Sequence, residues 1–243
     1  MEVPASPIAD ERRLQRGVIA SVAVVTAAYL LFGYAWFFEL AFGGLLDPTS
    51  LGYWKHAWNW AWASVLFAGV PALACRRWGL SRRDVGIHPG RFKWGLLLVI
   101  VGTLVPAAIP ASVASDSALA AEYPLARPLL EPPFRWWALV LWEVGYVFLY
   151  YVPYETFWRG FAQIPLVRRC GASAWVVVVA TTALTTLLHW NKPTSEILGA
   201  LAVGPVYGYL SIKLDSIYYG LANHVEVGVT TDVASTLLAL GVI

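Results

Sequence analysis

The sequence has few charged residues, and this shortage narrows the class of protein. Asp, Glu, Lys and Arg make up 13% of the 243 residues, whereas apolar residues make up 58%. A typical soluble domain is about one-quarter charged and about one-half apolar. Several apolar runs reach about 20 residues, the length that crosses a bilayer. The composition therefore predicts an all-α, polytopic membrane helical bundle and excludes an ordinary soluble domain.

Cysteine is scarce as well, which excludes a disulfide framework. Cys75 and Cys170 both lie beside arginine clusters, on the predicted cytoplasmic side. Thiols in that compartment stay reduced, so we interpret both as incidental residues rather than a disulfide or a metal site. The N-terminal region lacks a short apolar core followed by a cleavage site, so we expect no removable signal peptide.

Motifs of the best-marked membrane hydrolases are also missing. The chain has no HExxH, no GxSxG and no aspartate pair suited to an aspartyl intramembrane protease, which removes these classes from consideration. It has no internal repeat and no pair of matching broken helices, as many transporters have. A small transporter or proton carrier therefore ranks last among the interpretations, although buried His and Glu residues would suit one.

The apolar runs predict seven or eight transmembrane helices. Residues 1–16 are expected to form a polar cytoplasmic N-terminus, and residues 17–243 a single transmembrane domain. One run, 136–167, is too long for a straight span, and Pro153 is expected to kink or divide it. The expected spans are approximately 18–40, 53–75, 94–113, 136–167, 174–190, 195–212 and 216–242.

Basic residues predict the orientation of these helices. Arg and Lys form four clusters, which lie before the first helix, between the second and third, and after the motif helix and the sixth helix. Such clusters mark cytoplasmic loops, which puts the Pro-rich segment 114–135 on the outer side. The net charge of +2 comes from these short clusters. We therefore expect membrane lipids as partners and no nucleic acid.

Ionisable side chains occur at bilayer depth in the second half of the chain. Glu155 and Arg159 lie four residues apart, and His189 and His224 sit in later apolar stretches. Counted from the inner helix ends, Glu155, His189 and His224 lie about 21, 24 and 13 Å into the membrane. Because such residues are costly in lipid, they indicate a functional site. The three groups can meet if their helices are neighbours.

One Glu and two His residues can hydrolyse a peptide bond by acid–base chemistry. The Glu accepts a proton from water, one His shares that water, and the other His stabilises the oxyanion. Arg159, one turn from Glu155, would keep the carboxylate ionised. Structural roles are the alternative, with an ion pair that holds helices together and His residues that donate between helices. Glu196 is expected to cap its own helix or to reach back to the site.

These residues resemble the motifs of the CPBP family, the CAAX-processing and bacteriocin-processing-type intramembrane endopeptidases, also called the Abi family. The family pattern is Glu-Glu-x-x-x-Arg, Phe-x-x-x-His and His-x-x-x-Asn or Asp, and Glu155, Arg159, His189 and His224 match four of its positions. The likeness covers about residues 136–240. It implies a glutamate-type endopeptidase in a bacterial inner membrane, without a cofactor, that acts on a membrane-anchored peptide or protein.

Three motif positions depart from the family pattern. The first Glu, the proposed water-activating base, is Tyr154, the Phe is Thr185, and the final Asn or Asp is Gly228. Either Glu155 has taken the base role, or the chain is an inactive member that serves as a scaffold, assembly factor or subunit of a larger membrane complex. Two His and a Glu can hold zinc, but the family's chemistry argues against a metal. Accessory candidates are Tyr154, Glu196, Asn223, Thr231 and Asp232.

Overall fold

Helices account for the architecture throughout the residues that the computed structural model describes, 7–125, 127–131 and 133–243. No strand occurs within those ranges, which confirms the all-α fold class. The predicted polar segment 1–16 begins outside them, and its described part is already helical. The α-helices are α1 (Pro7–Ala28), α2 (Ala35–Phe42), α3 (Pro48–Ala63), α4 (Val70–Trp78), α5 (Phe92–Gly102), α6 (Leu104–Ala107), α7 (Ile109–Ser115), α8 (Ser117–Glu122), α9 (Trp136–Tyr146), α10 (Val152–Glu155), α11 (Ile164–Arg168), α12 (Ala174–Leu187), α13 (Thr194–Leu214) and α14 (Tyr218–Ala239).

Within the described residues, three helical segments are long and apolar enough to cross a membrane. They are Asp10–Gly33, Phe92–Ser115 and Thr194–Leu214, and two shorter apolar helices are Ala35–Leu45 and Ala174–Leu187. Many Leu, Val, Ile and Trp side chains are exposed on the outside of the bundle. An apolar surface of this extent is typical of a membrane contact. The count of seven or eight spans stays a prediction.

The helix that carries the Glu155 motif continues through Pro153. Residues 136–161 are helical throughout, with π turns at Val147–Tyr151 and Thr156–Phe161 on either side of α10. In the first π turn, the Val152 N–H donates to the Val147 carbonyl. We infer that this wider turn accommodates a proline, which has no N–H of its own. Pro153 was expected to kink or divide the helix, and the division lies at residues 162–163, after the motif.

Aromatic side chains form the core beside this motif. Phe67 is completely buried, and its ring lies 4.7 Å from Tyr29, 5.9 Å from Tyr154 and 5.4 Å from Phe157, measured between centroids. Aromatic pairs at these distances add to the stabilisation that burial itself provides. Trp158 is also fully buried in the same cluster. This packing holds the motif helix in one orientation, with Glu155 facing α14.

The basic clusters of separate segments meet at one end of the bundle. Arg169 forms an ion pair with Asp84 at 3.0 Å, and Arg168 forms one with Asp215 at 3.1 Å. The Cys170 thiol reaches a backbone carbonyl of α1. The N-terminal helix, the loop after α4, and the ends of α11 and α13 therefore lie on the same side of the bundle.

Polar contacts tie down the segment around α8 at the opposite end. Lys192 forms an ion pair with Glu122 at 2.6 Å, and the Ser195 hydroxyl donates to Asp116 at 2.6 Å. The hydrogen bond from Ser195, with those from nearby backbone N–H groups, lowers the pKa of Asp116. These contacts join α8 to the start of α13, so this segment covers the end of the bundle away from the basic clusters.

Gly160 allows a close approach between the motif helix and the loop after α4, which can be tested. A Cβ at Gly160 would lie 2.7 Å from the Val85 carbonyl oxygen, whereas Gly69 has open space around it. We expect Gly160→Ala to destabilise the protein by about 1–3 kcal/mol through overpacking. Gly69→Ala should instead stabilise it by about 0.5–1 kcal/mol, because glycine weakens a helix interior. Thermal unfolding in detergent measures both, and similar unfolding temperatures would contradict the close contact.

Candidate active site

Glu155 is completely buried, and both of its oxygens face a charged or polar neighbour. Oε1 lies 2.7 Å from Nδ1 of His224, and Oε2 lies 3.4 Å from Nε of Arg159. The Arg159 guanidinium also lies over the Tyr154 ring, 5.3 Å from its centroid. A carboxylate without exposure to water needs partners of this kind. The motif helix therefore supplies one partner, and α14 supplies the other.

The ring of His224 is oriented by the Glu155 carboxylate. A carboxylate accepts hydrogen bonds, so Nδ1 of His224 carries the hydrogen of this 2.7 Å contact. The opposite edge, with Nε2, is then available to the cavities that His224 lines. Tyr151 and Tyr154 pack edge-on against the ring, at centroid distances of 4.8 and 5.5 Å. The imidazole is thus held from three sides.

His189 is oriented by the backbone of the preceding helical turn. Its Nδ1 lies 2.7 Å from the carbonyl oxygen of Thr185. Because a carbonyl oxygen only accepts, Nδ1 carries a hydrogen, and Nε2 of the neutral ring carries the lone pair. Thr185 occupies the position of the Phe in the family motif, but the acceptor in this contact is its backbone carbonyl, which every residue type has. His189 can therefore accept a hydrogen bond from water through Nε2.

Two adjoining cavities share one wall, each with a volume of about 280 Å³. The loop-side cavity lies against Glu122 and Lys192, and the helix-side cavity lies among residues of α7, α13 and α14. Glu155 lines neither cavity, and it reaches the shared wall through His224. The residues that line both cavities are Tyr123, Tyr151, Tyr154, His189, Glu196 and His224.

The structure thus brings together the four residues that the sequence singled out. His189 and His224 lie on the shared wall, and Arg159 lines the helix-side cavity. Glu155 lies behind His224 with 0% of its surface exposed. Tyr154 and Glu196, two accessory candidates, lie on the shared wall as well.

Asn223 and Asp232, also accessory candidates, lie away from both cavities. The Asn223 amide donates to the Val99 carbonyl at 3.2 Å, and Asp232 accepts the Leu125 N–H at 2.8 Å. Neighbouring positions of a helix point about 100° apart, so Asn223 faces α5 when His224 faces Glu155. A role for either residue in place of the missing motif donor stays a prediction.

Tyr151 is a residue of the site that sequence reasoning did not single out. A Cβ at Gly228 would overlap the Tyr151 hydroxyl. The tyrosine therefore occupies the space of the Asn or Asp side chain in the family motif, next to His224. Tyrosines are common packing residues between membrane helices, and the one signal in the sequence was the glycine at a motif position.

Metal ligands are not grouped within the described part of the chain. No three His, Cys, Asp or Glu side chains there are arranged to hold a metal ion. Nδ1 of His224 and Oε1 of Glu155 point at each other, whereas the ligands of a catalytic zinc point jointly at one open position.

The pairing of Glu155 with Arg159 predicts a specific pattern of stability. Arg159→Leu should cost about 3–5 kcal/mol, because it leaves a buried carboxylate without its countercharge. The double variant Glu155→Gln/Arg159→Leu should recover most of this loss, since a neutral amide can still accept from His224. Unfolding temperatures in detergent compare the two. Equal losses in both variants would show that the ion pair is not what the bundle depends on.

Comparison with known families agrees with this geometry. Residues 135–228 match the family model described as type II CAAX prenyl endopeptidase Rce1-like, whereas no curated protein and no solved structure shows a significant match. The matched segment begins just before α9 and ends on α14, so it contains the Glu155 motif and both histidines. Together with the apolar helices, it shows an integral membrane protein. Residues 135–228 are an Rce1-like domain, as the resemblance to the CPBP family predicted.

Proposed function

We propose that the protein is an intramembrane endopeptidase that hydrolyses a peptide bond in or near a membrane-anchored segment. The observation that supports this best is the 2.7 Å contact between Glu155 Oε1 and His224 Nδ1. This contact fixes one imidazole on the shared wall, and the Thr185 carbonyl fixes the imidazole of His189 on the same wall. Two oriented imidazoles beside one cavity suit acid–base hydrolysis.

Glu155 acts as a positioning residue in this proposal rather than as the base. The sequence favoured a base or water-orienting role, but a carboxylate with 0% exposure has no contact with water in either cavity. Glu155 instead holds His224, and Arg159 balances its charge. In the proposed step, Nε2 of His224 donates to the oxyanion of the tetrahedral intermediate, which requires a hydrogen on both ring nitrogens.

His189 has a separate role at the same wall. Its Nδ1 hydrogen is committed to the Thr185 carbonyl, so Nε2 of the neutral ring accepts a hydrogen bond from the attacking water. The two histidines therefore act on different atoms, since His189 holds the water and His224 stabilises the carbonyl oxygen.

Cleavage of membrane-anchored peptides tests this function. The purified protein would be incubated with a panel of peptides that carry a C-terminal membrane anchor, and initial rates measured. His189→Ala and His224→Ala should each lower the rate about 100-fold or more, as expected for general acid–base groups. His88→Ala is the matched control, because His88 lies at the basic end beside Asp215. Unchanged cleavage in both cavity variants would overturn the proposal.

An inactive scaffold is the second candidate, and two substitutions favour it. The Tyr154 ring stands where the family has its base, and it packs in the aromatic core against Phe67. The Tyr151 side chain occupies the space at Gly228. Native mass measurement in mild detergent separates the candidates, because a stoichiometric partner without any cleavage would support a scaffold, assembly factor or subunit of a larger complex.

We also propose that residues 17–243 form one transmembrane domain in a bacterial inner membrane, with the N-terminus in the cytoplasm. The meeting of the basic clusters at one end supports this orientation. The segment around α8 then faces the outer side.

Labelling of single cysteines tests the orientation. In a chain whose two native cysteines are replaced by serine, Asn191→Cys and Arg13→Cys introduce thiols at two exposed positions near opposite ends of the bundle. A membrane-impermeant maleimide added to intact bacterial cells should label the cysteine at 191, and label the one at 13 only after lysis. The reverse pattern would contradict the orientation.

A further inference from the structure

The site lacks a carboxylate at the family's base position, because Tyr154 stands there with only 2% of its surface exposed. Hydrolysis still needs a group that accepts the proton of the attacking water. Six residues line both cavities, and Glu196 is the one carboxylate among them in the part of the chain that the structure describes.

We propose that Glu196, in the first turn of α13, is the water-activating carboxylate of this site. The inference rests on the proposed peptidase function and adds to it the base that the departures from the family motif left unassigned. Glu196 lies on α13 and Tyr154 lies on α10, so this carboxylate belongs to a different part of the cavity wall than the family's base position.

The contacts of Glu196 leave it ready to act on water. Its Oε2 accepts a hydrogen bond from the Tyr123 hydroxyl at 3.0 Å, which holds the carboxylate in place. Among the described residues, Oε1 has no hydrogen-bond partner. The side chain is half-buried, so water can reach it. It lies in the first turn of α13. Glu196 and His189 line the same two cavities.

Glu39 and Glu122, the other two described glutamates that line either cavity, each pair with a lysine. Glu39 pairs with Lys55 at 2.9 Å, and Glu122 pairs with Lys192 at 2.6 Å. Both glutamates line the loop-side cavity alone. Neither one therefore shares the wall on which both histidines lie, whereas Glu196 does.

The reaction then balances with residues of this chain and one water molecule. Glu196 accepts a proton from water while the water oxygen bonds to the carbonyl carbon and His189 holds the water through Nε2. His224 donates a hydrogen bond to the resulting oxyanion. The C–N bond breaks as the nitrogen takes the proton from the Glu196 carboxyl group. The products are a carboxylic acid and an amine, and Glu196 is a carboxylate again.

Replacement of the Glu196 carboxylate by a neutral amide of nearly the same shape tests its role. In the full-length protein, Glu196→Gln should lower the initial rate of peptide cleavage about 100-fold or more. Its unfolding temperature should stay unchanged, because the amide oxygen can still accept from Tyr123. Glu131→Gln is the control, since it removes an exposed carboxylate that lines neither cavity, and its rate should stay within about threefold of the wild type.

The outcomes separate this inference from the peptidase proposal. Cleavage by Glu196→Gln near the wild-type rate, together with its loss in His224→Ala, overturns the role of Glu196 and leaves the peptidase proposal standing. A wild-type protein that cleaves nothing overturns both.

Tyr123→Phe addresses a structural role for Glu196, because it removes the same hydrogen bond and keeps the carboxylate. A Tyr123→Phe rate far above that of Glu196→Gln supports the base. Equal losses in the two variants overturn it.

Discussion

The contact between Glu155 and His224 is the interaction on which the candidate site depends. A buried carboxylate inside a membrane bundle is stable only with partners, and here Arg159 and His224 provide them. Since one partner lies on the motif helix and the other on α14, the same contact joins two helices and sets the rotation of an imidazole. The Glu155–His224 contact that joins the two helices therefore also orients the ring.

The departures from the family motif are connected through space. Tyr154 replaces a glutamate and packs against Phe67 in the aromatic core, while Tyr151 takes the space beside Gly228. Both rings contact His224 edge-on. Two polar side chains of the family pattern have thus been exchanged for two tyrosines around the same histidine. Among the described residues that line both cavities, the one carboxylate is Glu196 of α13.

Periodicity and spacing predicted the parts of the site that lie on a single helix. Glu155 and Arg159 are four residues apart, so their contact follows from the helical repeat. The same reasoning left open whether Pro153 kinks or divides the helix, and the π turn before it allows the helix to continue. Asn223 and Asp232 were plausible donors by their distance along α14 from His224. Their side chains point to α5 and to the Leu125 backbone instead, which depends on the neighbours of α14.

The amino-acid sequence by itself determined the class of molecule, an all-helical integral membrane protein with an Rce1-like domain, because apolar runs and motif spacing are local properties. The sequence also identified the ionisable residues that lie within apolar helices, where burial of a charge is unfavourable. Only the tertiary structure decided which of those residues are fully buried and which are exposed to a cavity. Glu155 is buried behind His224, whereas Glu196 lines the cavity wall. Each outcome depends on how separate helices are rotated relative to one another, and packing across the bundle sets that rotation.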